Sequence, residues 1–221
     1  MEITLGQKIS TATSLIDQVG SEINSMLNLT METFNKQFRA SKDQRFLDWD
    51  SDWVTSDSEW VLSDTAHYVP VLKKGGRNPV RYLVIQVSLS GDGISGEGFQ
   101  NVEPLIHVYF FACPVSFEEG DYFGFPFANE WGKPVLIDEA VWFWTEDQAN
   151  PIEQPWDKNE WGFSVLLTSI NTLDDIKDKI VDPALMLIKN PRTGIEQLSS
   201  LDGVIRYKKV NDLYRLVPHR S

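Results

Sequence analysis

Residues 81–113, RYLVIQVSLSGDGISGEGFQNVEPLIHVYFFAC, decide the fold class. Over residues 81–89 the side chains alternate, with Leu83, Ile85, Val87 and Leu89 on one face and Tyr82, Val84, Gln86 and Ser88 on the other, the period of two of a β-strand. Residues 105–113 are apolar on both faces, as expected of a central strand covered on two sides. Between them, Gly91-x-Gly93-x-x-Gly96 has the spacing of a dinucleotide-binding loop. Such a loop must open a helix, yet residues 97–104 lead at once into the next strand, and Asp92 and Glu97 repel a pyrophosphate. The glycines therefore read as the tip of a hairpin joining two antiparallel strands.

Working outward, residues 66–72, 141–145 and 163–170 are further strands, and residues 204–210 and 213–217 form a hairpin around Asn211-Asp212. Ahead of the sheet, residues 7–38 read as a helix, because Ile9, Ala12, Ile16, Val19, Ile23, Met26, Thr30 and Thr33 recur at alternating spacings of three and four. Leu15, Leu27, Leu29, Phe34 and Phe38 widen this stripe, which suits packing on the chain's own sheet, while the heptad pattern also suits a homodimer through residues 7–38. A short helix spans residues 172–181, with Thr172 as its cap, Asp175 three positions on, and Pro183 expected to break it. These elements predict one α+β domain over residues 1–221: a mostly antiparallel sheet of five to seven strands, covered by the long N-terminal helix within residues 1–40 and the helix near 172–181. Residues 114–160, rich in Gly, Pro, acids and Trp, read as a projecting, irregular excursion.

With 221 residues, 42% of them hydrophobic and eight of them Trp, the chain can bury a core and is not compositionally disordered. The apolar stretch around residues 104–117 is broken by prolines and His107 and is too short to span a bilayer. The opening MEITLGQKIS has no basic segment followed by an apolar one, so no secretory signal is legible. The lone Cys113 forms no internal disulfide, which fits the cytoplasm of a cell or of an infected host.

The net charge is −12, and it is concentrated. Residues 43–64 carry seven acids against Arg45, and residues 118–160 carry eleven acids against Lys133 and Lys158. Seven tryptophans lie in these two segments, and Trp161 follows directly. Aromatic anchors beside carboxylates suit a basic protein partner, such as a nucleic-acid-binding protein or a toxin, and Trp49, Asp50, Asp52, Trp53, Glu118, Glu119, Asp121 and Trp131 are the candidate contact residues. Nucleic acid itself is a poor fit, since the basic runs Lys73, Lys74, Arg77, Arg81 and Arg206, Lys208, Lys209, Arg215 are short.

Asp48, Asp50, Asp52, Ser56 and Glu59 have EF-hand ligand spacing, but Trp53 occupies the position where that loop needs glycine. His107 and Cys113, six positions apart on one strand, are separated by about 20 Å and form no dyad. His107 reads as a buried histidine bonded to the backbone, and the three histidines have no metal-ligand spacing. No catalytic residue, metal or cofactor is assigned. The expected function is a cytoplasmic, non-enzymatic regulator or inhibitor of immunity, antitoxin or counter-defence type. The alternatives are a metal-dependent hydrolase or nuclease built from scattered groups such as Asp92, Glu103 and Lys133, and a structural subunit assembling through the N-terminal helix.

Overall fold

The computed structural model describes residues 4–39, 43–55, 62–89, 103–117, 134–144, 150–210 and 213–218. The chain runs through helix α1 (Leu5–Phe38), strands β1 (Gln44–Phe46), β2 (Asp50–Thr55), β3 (Leu62–Lys73), β4 (Arg81–Ser88), β5 (Leu105–Phe111), β6 (Val135–Ile137), β7 (Val141–Trp144) and β8 (Glu160–Leu166). Helices α2 (Leu173–Ile176), α3 (Asp182–Lys189) and α4 (Pro191–Ser200) follow, and the hairpin of β9 (Ile205–Val210) and β10 (Leu213–Pro218) closes the chain. The class is α+β, with every paired strand antiparallel. The main sheet has eight strands in the order β1-β3-β4-β5-β8-β7-β6, with β2 also paired to β3. The short strands β1, β2 and β6 carry it past the five to seven expected.

The central strands alternate as their sequences require. Leu83, Ile85 and Val87 of β4 and Ile106, Val108 and Phe110 of β5 face the helices in one core cluster. Val84 of β4 and Leu105, Tyr109 and Phe111 of β5 face the opposite way, where Ile205 and Tyr207 of β9 cover them. All seven residues of β5 are buried, so this strand is sandwiched on both faces.

Pro183 does not end the helical segment. Lys177–Val181 forms a π-helical turn whose Asp182 N–H bonds to the Lys177 carbonyl, five residues back, and α3 then starts with Pro183 in its first turn. Proline lacks the N–H of an ordinary helical bond and its ring crowds the carbonyl four residues earlier, and the wider turn makes room for both defects. Helix α4 then packs back on α3 so closely that a Cβ on Gly194 would lie 2.8 Å from the Leu187 backbone nitrogen.

The projecting excursion is corrected in part. Residues 118–133 and 145–149 lie outside the described residues, but β6 and β7 join the main sheet, and Trp142 and Trp144 are 7% and 8% exposed. Asp138 and Glu139 have φ of 50° and 55° between these two strands, and Ala140 N–H bonds to the Ile137 carbonyl, the geometry of a type I′ turn.

Helix α1 opens on a capping box. Gln7 N–H donates to Thr4 Oγ1 (3.3 Å), and Thr4 N–H donates to Gln7 Oε1 (2.9 Å). Thirty-four residues at a rise of 1.5 Å make it about 51 Å long. It packs on α2, the π-helical turn and β1, and its buried side chains are Ile23, Leu27, Thr30, Phe34 and Phe38. From Leu5 to Glu22 no side chain is buried. The expectation that the helix packs on its own domain holds for its second half alone.

Candidate functional site

Strand β2 lies on the outer side of β3, and both candidate aspartates and Trp53 lie on it. Asp50, Asp52 and Val54 alternate onto one face, and Trp53 points to the other. The structure thus separates the indole from the two carboxylates beside it. Trp53 is 63% exposed, whereas every other described tryptophan is buried or half-buried.

The aspartates hold their own chain. Asp50 Oδ2 accepts from the Tyr68 hydroxyl at 3.2 Å, directly across the β2–β3 ladder. Burial and this carboxylate push the Tyr68 phenol up to about 12. Asp52 Oδ2 accepts from Phe117 N–H at 2.7 Å, which ties the segment after β5 to β2. Trp49 is also partly spent: its Nε1–H donates to Asn35 Oδ1 (3.1 Å), and its ring tilts against Phe34 of α1. It lines a cleft of about 440 Å³ at the foot of α1, together with Phe38, Arg39, Arg45, Phe46 and Asp48. Glu118, Glu119, Asp121 and Trp131 lie outside the described residues, as do Asp92, Lys133 and the glycines 91–96. The residues with EF-hand spacing are laid partly along the extended strand β2 rather than around a loop. Among the described residues no group of three or more His, Cys, Asp and Glu side chains could hold a metal ion.

The basic runs are partly consumed inside the fold. Lys73 pairs with Asp157, Arg81 donates to the Asn159 and Val80 carbonyls at 3.0 and 2.6 Å, and Arg206 donates to the Asp138 carbonyl at 3.1 Å. Cys113 is half-buried, and burial with the nearby Glu160 pushes its thiol up to about 11, the opposite of nucleophile activation.

The sequence reading missed one constellation. Gln86, His107 and Ser164 are directly opposite one another on β4, β5 and β8, forming a polar row across the middle of the sheet. His107 Nδ1 lies 2.6 Å from Ser164 Oγ rather than on a backbone group, and the Tyr207 hydroxyl donates to the same Oγ at 2.5 Å. Gln86 Nε2–H donates to Asp64 Oδ1 at 2.9 Å, and the Tyr109 hydroxyl donates to Gln86 Oε1 at 3.0 Å. The signal was present as a polar residue, Gln86, His107 or Ser164, flanked on both sides by apolar residues in each of three strands. A serine beside a histidine has the composition of a nucleophile and base, but His107, Ser164 and Tyr207 are all 0% exposed. Burial also holds His107 down at about 3, so it stays neutral. Fully buried among the described residues, the row works as a network that fixes strand register and docks β9.

Among the described residues no helix is long and apolar enough to cross a membrane. Comparison of the chain with protein-family models, curated proteins and solved structures found no match.

Proposed function

We propose that the chain is a non-enzymatic binding protein, a cytoplasmic regulator or inhibitor of immunity, antitoxin or counter-defence type, which engages a basic protein partner through the β2 edge. The observation that carries this reading is the 63% exposure of Trp53 on an outer strand. An indole left in water forgoes about 1.5–3 kcal/mol of burial, a loss that a partner's pocket recovers. The exposed Asp48 and Asp50, in the same segment though not on the face of the indole, supply long-range attraction for a cation-rich surface within a chain of net charge −12. Asp52 contributes by fixing the segment around Phe117, and Trp49 by seating β2 against α1.

The test is a tagged pull-down from the native host with wild type and Trp53→Ala side by side, eluted with rising salt. One basic protein, held by wild type, released by salt and weakened by at least about 2 kcal/mol in the variant, is the expected result. Equal capture by both proteins, or no basic protein above background, would remove the β2 edge as the binding surface.

A further inference from the structure

The first half of α1 carries an apolar stripe that nothing among the described residues buries. Leu5 is 73% exposed, Ile9 and Leu15 59%, Ile16 49% and Val19 37%. In heptad terms Ile9, Ile16 and Ile23 are a positions, Leu5, Ala12 and Val19 are d positions, and Lys8, Leu15 and Glu22 are g positions on one flank. We propose that this half of α1 pairs antiparallel with the same segment of a second copy of this chain. Ile9 then stacks against Val19 of the second copy and Ala12 against its Ile16.

Two independent observations select this occupant and this direction. The first is charge. The antiparallel register sets Leu15 against its own symmetry mate and brings Lys8 of each copy to Glu22 of the other, so that both ends of the seam close on opposite charges. Sliding by one heptad either way opposes Lys8 or Glu22 to Leu15 instead. A parallel pair sets Lys8, Leu15 and Glu22 against Thr13, Gly20 and Leu27, and matches no charges. Lys8 has no ion pair among the described residues, and Glu22 accepts only an exposed hydrogen bond from Gln18 among the bonds seen.

The second is the shape of the stripe. Leu5, Ile9, Ala12, Ile16, Val19, Ile23, Leu27, Phe34 and Phe38 fall within an arc of about 100° on a helical wheel, so the face bare up to Glu22 is the face the domain covers from Ile23 onward. A parallel partner helix laid on this face would run into that domain. An antiparallel partner's helix ends at its Leu5, level with Ile23, where the domain's cover begins. The polar face, Gln7, Ser10, Ser14, Asp17 and Ser21, has no cation, so an anionic lipid surface is a poor occupant. The pairing holds the two domains about 27 Å apart along the helices, at a rise of 1.5 Å per residue from Leu5 to Ile23.

Sedimentation of the full chain between about 1 and 100 µM reads the association directly, because an oligomer's population follows protomer concentration. The mass doubles from 25.2 kDa across this range, and Ile16→Glu stays monomeric with an unchanged circular dichroism spectrum and melting curve at the lowest concentration. Direction is read by charge reversal: Lys8→Glu and Glu22→Lys each weaken the dimer by about tenfold, and the double variant returns to within about twofold of wild type. With Cys113→Ser in place, Leu15→Cys forms a disulfide-linked dimer on mild oxidation. A monomer at the highest concentration, or a dimer indifferent to Ile16→Glu, overturns the pairing. Charge reversals that do not rescue one another, or no cross-link at position 15, overturn the antiparallel register.

Discussion

Residues 5–22 and 23–38 of α1 share one apolar stripe on one continuous helix, yet among the described residues the second half is locked into the core and the first half has no buried side chain. Local signals do not distinguish them: both halves repeat at three and four residues, and both carry Ile and Leu. The difference teaches that periodicity reports what a helix is able to bury, and that burial itself depends on what another part of the chain brings to that face. For Phe34 and Phe38, β1 and the link to β2 arrive with Phe46 and Trp49. For Ile9 and Ile16, among the described residues, no element arrives.

The sharpest way to break this comparison is a matched pair of truncations. Phe34→Ala should lower the unfolding free energy by about 3–5 kcal/mol, through lost transfer energy and a cavity. Ile16→Ala, tested in urea at a concentration where the chain is monomeric, should change it by less than about 0.5 kcal/mol. Equal costs would mean that the first half is covered in the monomer. Two glycines repeat the contrast with opposite signs. Gly194→Ala forces a methyl against the Leu187 backbone and should destabilise by about 1–3 kcal/mol, whereas Gly20→Ala meets nothing within 4 Å and should stabilise by up to about 1 kcal/mol.

The capping boxes at Thr4 and Thr172 are chemically alike and sharpen the comparison further. Thr172→Ala should cost about 1 kcal/mol of global stability, because α2 is packed against α1. Thr4→Ala should speed amide exchange in the first turn of α1 and leave the melting temperature in place, since an exposed terminal turn frays without unfolding the rest. The smallest effect is the pH dependence of the α2 cap. Hydrogen bonds from Lys179, Thr172 and the Asn171 N–H hold Asp175 at about 2, below its ordinary 3.8. Its stabilisation is therefore fully present above about pH 4 and is lost as pH falls towards 2, and Asp175→Asn should flatten that part of an acid titration of stability.

The legible part of the fold was the part whose sequence admits one environment. Strand β4 was visible because its side chains alternate, β5 because both its faces are apolar, and the hairpin β9–β10 because Asn211-Asp212 separates two β-rich runs. Strands β1 and β6 are three residues each, too short for any period to emerge, and β2 reads Asp-Ser-Asp-Trp-Val-Thr, a loop-like composition that only its pairing with β3 makes extended. Helix α3 was missed because Pro183 reads as a terminator unless a π turn precedes it. The candidate site was legible as residue types and not as geometry. Asp50, Asp52 and Trp53 were correctly adjacent in the chain, but strand alternation parts the acids from the indole, and Tyr68 and Phe117 occupy the acids.

The sequence by itself determined the period of each long element, the cap at Thr172, the acidic balance and the antiparallel α+β class, because these depend on residues within a few positions of one another. Only the tertiary structure decided which half of α1 is covered, which tryptophan stays in water, and that Gln86, His107 and Ser164 lie in one buried row. Each of those outcomes requires segments tens of residues apart to meet, and the free energy of that meeting belongs to the contact surface and not to either segment alone.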